Sequence, residues 1–370
     1  MTLALTKSLM AFAVAATTLT PIAAFADGEV NVYSYRQPGL LKPLMDAFTA
    51  ETGVKTNVLF AKKGLGQRIQ AEGVNSPADV LLTVDIGRLD AAKALGITQP
   101  VSSEVISGNI PSQYRDPDGH WFGVTTRARI IYASKERVKQ DAITYEELAD
   151  PKWKGKICTR SGQHVYSVGL IASVVAHAGE EAAGKWLEAV KNNLARKPTG
   201  NDRAQVKAIF AGECDIALGN TYYMGKMETN TKEPEQKEWA ASVKLLFPNA
   251  GDRGTHVNLS GMVMAKHAPN VENAKKLMEF LSSEKAQQIY GTANFEYPVK
   301  PGVAADERTA SWGTLKADSL PLAEIAKHRK TASELVDKVG FDEGMVFATG
   351  PGAEIQKPLA IVVIGGLITS

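Results

Sequence analysis

Asp79-Val80-Leu81-Leu82-Thr83-Val84 is an apolar run with no alternation of polar residues. A strand with one wet face alternates with period two, so a continuous run belongs to a strand covered on both faces, as in a helix-flanked parallel sheet. The flanks agree. Upstream, Val30 to Tyr35 alternates as a strand, and Leu40 to Glu51 carries Leu41, Leu44, Met45 and Phe48 at helical spacing before Gly53 stops it. Val54 to Phe60 reads as a second strand, and Gly64 to Glu72 as a second helix closed by Gly73. Downstream, Arg88 to Leu95 reads as a third helix, with Asp85 as its cap, the alternative being a residue that lines a cleft. This β-α-β-α-β-α order predicts an α/β layer on a mostly parallel sheet. Gly64-Leu65-Gly66 lacks the lysine and Ser/Thr of a phosphate loop and the glycine spacing of a dinucleotide fold, which excludes those nucleotide sites.

Trp121 to Tyr132 is one extended segment, long enough to leave one domain and enter another. A second α/β unit follows, with strands at Lys156 to Thr159 and Cys214 to Leu218 and helices at Val168 to Ala178, Glu181 to Asn192 and Arg203 to Ala211. Thr255 to Ala265 is extended again and crosses back. Two α/β units joined by two extended crossings are the plan of a two-lobed, hinged binding protein that closes on a solute. On this plan residues 27–123 and 251–300 form lobe 1, residues 124–250 form lobe 2, and residues 301–343 supply C-terminal helices packing on lobe 2.

The 370 residues suffice for two domains, and 44% hydrophobic content suffices for real cores. Lys and Arg number 42 against 40 Asp and Glu, so no basic surplus exists to neutralise phosphates, and a nucleic-acid partner is excluded. Lys7, the apolar or small residues Leu9 to Leu19, and Ala24-Phe25-Ala26 before Asp27 read as a secretory leader over residues 1–26, cleaved after Ala26. The mature chain is then exported to the periplasm. That compartment permits a disulfide between the two cysteines, Cys158 and Cys214, the alternative being two buried thiols. After Asp342 the composition changes. Residues 344–370 end in an apolar stretch, Leu359 to Ile368, too short to span a bilayer.

Gly219-Asn220-Thr221-Tyr222-Tyr223-Met224-Gly225 follows the apolar Ile216-Ala217-Leu218. Adjacent side chains on a strand face opposite ways, so both phenols serve one site only if the strand ends before them. Asn220 or Thr221 as N-cap would put Tyr222 and Tyr223 in a first helical turn, where both lean into a cleft and the positive helix end favours their anions. The bland alternative is an aromatic pair packing at a strand end.

At this point the chain resembles the periplasmic ferric-iron-binding proteins that feed iron ABC importers. The resemblance runs from about Val30 to Val339. It is carried by Val32-Tyr33-Ser34-Tyr35-Arg36-Gln37, Ser76 to Asp85, Arg127-Ala128-Arg129, Tyr145 to Gly155, Gly200-Asn201-Asp202, Gly219 to Gly225, Gly254 to Asn258 and Phe295 to Val299. It implies a type II periplasmic-binding fold acting as a monomeric carrier, not an enzyme, with an ABC permease as partner and Fe3+ as the transported ligand. Residue by residue it makes Tyr166, Tyr222 and Tyr223 metal-binding phenolates. Arg127 is the best match to an anion-holding arginine, ahead of Arg36, Arg129 and Arg203. Tyr35 and Gln37 are candidates for remaining coordination positions or a metal-bound water. Some relatives place a His-Tyr pair after the first strand. Here that place reads Gln37-Pro38, which favours three tyrosines plus an anion such as carbonate, or water. The segment from Gly350 on resembles a fragment of a heavy-metal efflux pump instead.

Hard trivalent iron prefers anionic oxygen, and three phenolates cancel its charge. A free tyrosine ionises near about pH 10, so the metal itself must draw off the protons. Two other readings stay open on the residues alone: the same fold binding a small anion or organic phosphonate without metal, or a secreted hydrolase. No His-x-x-x-His pair with a catalytic Glu and no Gly-x-Ser-x-Gly elbow supports the hydrolase. His164, two residues before Tyr166, reads as a surface loop histidine, the alternative being that it lines the cleft.

Overall fold

The computed structural model describes residues 28–344, so the expected leader and the apolar part of the tail lie outside the described residues. Ten strands run in chain order: β1 (Glu29–Ser34), β2 (Lys55–Phe60), β3 (Val80–Thr83), β4 (Thr98–Gln99), β5 (Phe122–Ser134), β6 (Ile157–Cys158), β7 (Ile216–Asn220), β8 (Val243–Leu246), β9 (Val257–Ala265) and β10 (Tyr297–Pro298). Their order is β2-β1-β3-β9-β5-β7-β6, with β4 beside β9 and with β8 and β10 beside β5.

β3 is buried along its whole length, as its unbroken apolar run predicts. The helix Pro38–Thr52 buries Leu41, Leu44, Met45 and Phe48, the four residues read as its inner face, and Gly53 ends it at φ 74°. Each such side chain contributes about 1.5–3 kcal/mol by leaving water. Asp85 caps the helix Ile86–Ala94 by accepting the Arg88 N–H.

The expectation of mostly parallel sheets needs correcting. Parallel pairing holds for β1 with β2 and β3, and for β6 with β7. Every pair involving β5 or β9 is antiparallel. The reason lies in the crossings, because an outgoing and a returning strand laid side by side must run in opposite directions. Phe122 to Ala128 of β5 pair with β9, while Arg129 to Ala133 pair with β7 and Ile131 to Ser134 with β8. One continuous strand thus serves two sheets, and the change of partner falls between Ala128 and Arg129. Cys158 and Cys214 form a disulfide with a Cα separation of 5.9 Å, joining β6 to the residues that lead into β7.

Candidate metal centre

β7 ends at Asn220, and Tyr222 opens the helix Tyr222–Glu228. Both tandem tyrosines therefore sit in a first helical turn. The capping differs from expectation. Thr221 holds the N-cap position with helical dihedrals and no side-chain cap. Its hydroxyl instead accepts the Ala128 N–H of β5 at 3.2 Å, which ties the tyrosine turn to the strand that changes sheets. Gly219 is required by a close approach: a Cβ there would stand 2.2 Å from the ring of Tyr132, whose hydroxyl donates to the Asn220 carbonyl at 2.6 Å.

Tyr166 lies in the first turn of the helix Val165–Ala178. His164 is its N-cap, accepting the Tyr166 N–H on Nδ1 at 3.2 Å, with its ring edge-on to Tyr166 at 4.6 Å. The reading of His164 as a surface loop residue is thus overturned. Burial, then the neighbouring Arg160, push its pKa down to about 4, so at neutral pH it is an uncharged acceptor suited to the capping bond.

These two first turns bring three phenols together from segments 56 residues apart. The hydroxyls of Tyr166 and Tyr222 are 3.0 Å apart, and the rings of Tyr222 and Tyr223 stack at 4.3 Å. Tyr222 is buried, whereas Tyr166 and Tyr223 are half-buried. Cations surround them. Arg160 and Arg127 lie 5.3 and 5.6 Å from the Tyr166 ring centre, Arg203 lies 5.6 Å from that of Tyr223, and Lys226 lies 4.7 Å from that of Tyr222. Burial raises the pKa values of Tyr222 and Tyr223, and repulsion from neighbouring anions adds to it. Both are therefore protonated at neutral pH until a cation arrives.

Arg127 is the pivot of the other wall. Its Nη1 donates to Ser260 at 3.1 Å, while its buried Nε and Nη2 have no protein partner. Arg36 donates to Tyr290 at 3.0 Å, Ser260 at 2.6 Å and Glu296 at 2.8 Å. Glu296 also accepts from Thr125 at 2.5 Å and Ser260 at 3.0 Å. Burial works against the charges of Arg127 and Arg36, but Glu296 outweighs it and raises both pKa values. Burial would likewise raise Glu296, yet Arg36 and Arg127 hold it below the usual carboxylate range.

The remaining expected residues divide. Arg36 joins Arg127 through Ser260. Arg129 is committed to Asp202 at 2.8 Å. Arg203 lies over Tyr223. Tyr35 is elsewhere: its hydroxyl accepts the Gly66 N–H at 3.1 Å, and its ring lies 4.3 Å from Arg88. Gln37 is exposed at the start of the helix Pro38–Thr52, with no capping bond.

Sequence reading missed Arg160, Lys226 and Glu296. Lys226 had a signal, since it stands three and four residues after the tyrosines and so on their helix face. Glu296 lies in the Phe295 to Val299 segment that carries the resemblance but had no role assigned, and Arg160 had no signal, because only the chain path brings it in. Among the described residues no group of three or more His, Cys, Asp or Glu could hold a metal.

Residues 33–288 match the family of bacterial extracellular solute-binding proteins. Iron uptake protein A1 of Synechocystis sp. is 46% identical over 315 residues, covering 85% of this chain and 87% of its own. The major ferric iron-binding protein of Neisseria meningitidis serogroup B is 28% identical over 338 residues, covering 89% and 97%. Among solved structures, ferric iron-binding protein A of Mannheimia haemolytica in an open conformation has a TM-score of 0.82 at 50% identity, covering 85% of this chain and 99% of that one. A Trichodesmium protein in complex with iron and citrate ligands also has a TM-score of 0.82, at 44% identity, covering 85% and 100%. This chain belongs to the bacterial extracellular solute-binding protein family, and its similarity there is to iron uptake and ferric iron-binding members.

Proposed function

We propose that this protein captures ferric iron in the periplasm and hands it to an ABC permease, acting as a monomeric carrier and not as an enzyme. Lobe 1 comprises residues 27–123 and 251–300, lobe 2 residues 124–250, and residues 301–343 pack on lobe 2. The reading rests on one observation above others: Tyr166 and Tyr222 bring their hydroxyls to 3.0 Å while Tyr223 stacks on Tyr222. Tyr166, Tyr222 and Tyr223 each release a proton to solvent as the ion binds, and the three phenolates cancel its 3+ charge. A neutral assembly can be held in a half-buried cleft without the desolvation penalty of a bare ion.

The buried, unpartnered Nε and Nη2 of Arg127 suit a bidentate carbonate or carboxylate that completes the coordination. Arg36 and Glu296 hold Arg127 through Ser260, and Arg203 and Lys226 add positive field above the rings. The same free donors favour a second reading, a small-anion or phosphonate carrier in which the tyrosines only donate hydrogen bonds. Colour separates the two. Iron-loaded protein gains a phenolate-to-iron charge-transfer band in the visible that Tyr166→Phe and Tyr223→Phe diminish. An anion carrier titrated with ferric citrate shows no visible band beyond that of ferric citrate itself, and that result overturns the ferric reading.

A further inference from the structure

Among the described residues, Asn249 and Phe295 alone of the non-glycines have positive φ. Asparagine tolerates that region, but a bulky ring there is an outlier, and such outliers persist where the surroundings over-determine them. Phe295 (φ 57°, ψ 41°) ends the helix Glu284–Asn294, at a position where glycine is usual. Two sets of contacts hold it. On one side its ring presses on Gly225: a Cβ on Gly225 would stand 2.4 Å from Phe295 Cγ and 2.6 and 2.8 Å from the two Cδ atoms. Gly225 lies three residues after Tyr222, on the same side of that helix. On the other side the next residue, Glu296, receives Arg36, Thr125 and Ser260, and Ser260 carries Arg127. A single left-handed turn therefore touches both walls of the centre.

We infer that the Phe295–Glu296 turn is the spacer of the centre: Phe295 fixes the stand-off of the tyrosine helix, Glu296 fixes that of the Arg36–Arg127 pair, and Phe295 is thereby a positioning residue for the bound ion. A relaxed right-handed backbone at 295 would swing the ring off Gly225 while Glu296 stayed anchored, so the two walls would lose their common reference. Gly225 is the matching half of the device, since only a residue without Cβ admits the ring. The inference rests on the ferric reading above for its solute.

The test is a double-mutant cycle on the full mature protein, read by ferric affinity and by the position of the charge-transfer band. Gly225→Ala ordinarily favours a helix. Here it weakens ferric binding about tenfold and shifts the band, Phe295→Ala does the same by removing the ring, and Gly225→Ala/Phe295→Ala loses no more than either single variant because all three break one contact. Wild-type affinity and spectrum in either single variant, or losses that simply add in the double variant, overturns the inference. Should Gly225→Ala fail to fold, Phe295→Leu shifts the band while the melting temperature stays near wild type, and an unmoved band overturns it. A metal-free crystal structure separates this from the function: Gly225→Ala moves the Tyr222 hydroxyl out of hydrogen-bond reach of Tyr166, and an unmoved hydroxyl refutes the spacer. A wild-type protein that binds no ferric ion refutes the ferric reading, and the crystal structure still decides the spacer.

Discussion

Arg129 and Asp202 form an ion pair at 2.8 Å with side chains 2% and 0% exposed. Asp202 does more than neutralise Arg129. Its second oxygen accepts from Arg160 at 2.9 Å, and it also takes the Asn220 N–H at 2.8 Å. One carboxylate thus ties the segment leading to Tyr166 to the segment leading to Tyr222. Asp202→Asn leaves two guanidiniums without their counter-charge, and removing one member of a buried pair costs about 3–5 kcal/mol. Urea unfolding of the metal-free variant measures it, and a loss below about 1 kcal/mol contradicts this account.

Tyr223 is half-buried with its ring stacked on Tyr222, so on the ferric reading Tyr223→Phe removes one phenolate and keeps the ring packing. Ferric affinity falls by at least about a hundredfold, more than the loss of an outer-shell partner produces, with little change in melting temperature. Competitive titration against a chelator reads the first and calorimetry the second.

On the ferric reading, binding is linked to protons. The buried phenols are protonated in the metal-free protein, because burial raises Tyr222 and Tyr223. Each phenol that ligates iron releases one proton, so affinity falls as pH falls, by about tenfold per pH unit for each proton released. Chelator competition in neutral and mildly acidic buffer checks the slope. A flat profile means the phenols do not ionise on binding.

Arg127→Lys keeps a charge but loses the planar fork. If, as proposed, Arg127 holds an accessory anion, the gain in ferric binding from added carbonate or citrate drops about ten- to a hundredfold in this variant, while iron binding without the anion persists. Affinity measured across an anion titration separates this from general loss of binding.

His256 is buried, and burial first, then Arg129, Arg329, His177 and Arg253, push its pKa down to about 3. The unfolded chain therefore takes up this proton first. The resulting stability is complete above about pH 6.5 and is lost as pH falls towards about 3, at about 1.4 kcal/mol per unit. Wild type loses about 2 kcal/mol more than His256→Gln between about pH 7 and about pH 5 in urea unfolding. Parallel curves for the two proteins rule the histidine out.

Much of this was readable in the chain. β3 announces its burial because a strand covered on both faces has no reason to alternate. Leu41, Leu44, Met45 and Phe48 announce a helix face by spacing alone. The start of the tyrosine helix is legible because two adjacent phenols can share a site only where a strand has ended. Each is a local rule with a fixed period. The sheet directions were not legible, since whether β9 lies beside β5 depends on where a returning segment lands. His164 failed for a similar reason: a histidine in a polar loop reads as wet until the helix that it caps is seen.

By itself the sequence determined the longer strands and helices, the two extended crossings and the tandem tyrosines at a helix start, because propensity and periodicity act over a few residues. Tyr166 reads as part of a polar loop before a helix at Val168, whereas the helix starts at Val165. Only the tertiary structure decided that Tyr166 meets Tyr222, that Asp202 serves Arg129 and Arg160 together, and that Phe295 rests on Gly225. These pairs lie 42 to 73 residues apart in the chain. Their distances follow from how sheets and helices pack, and no local pattern encodes that.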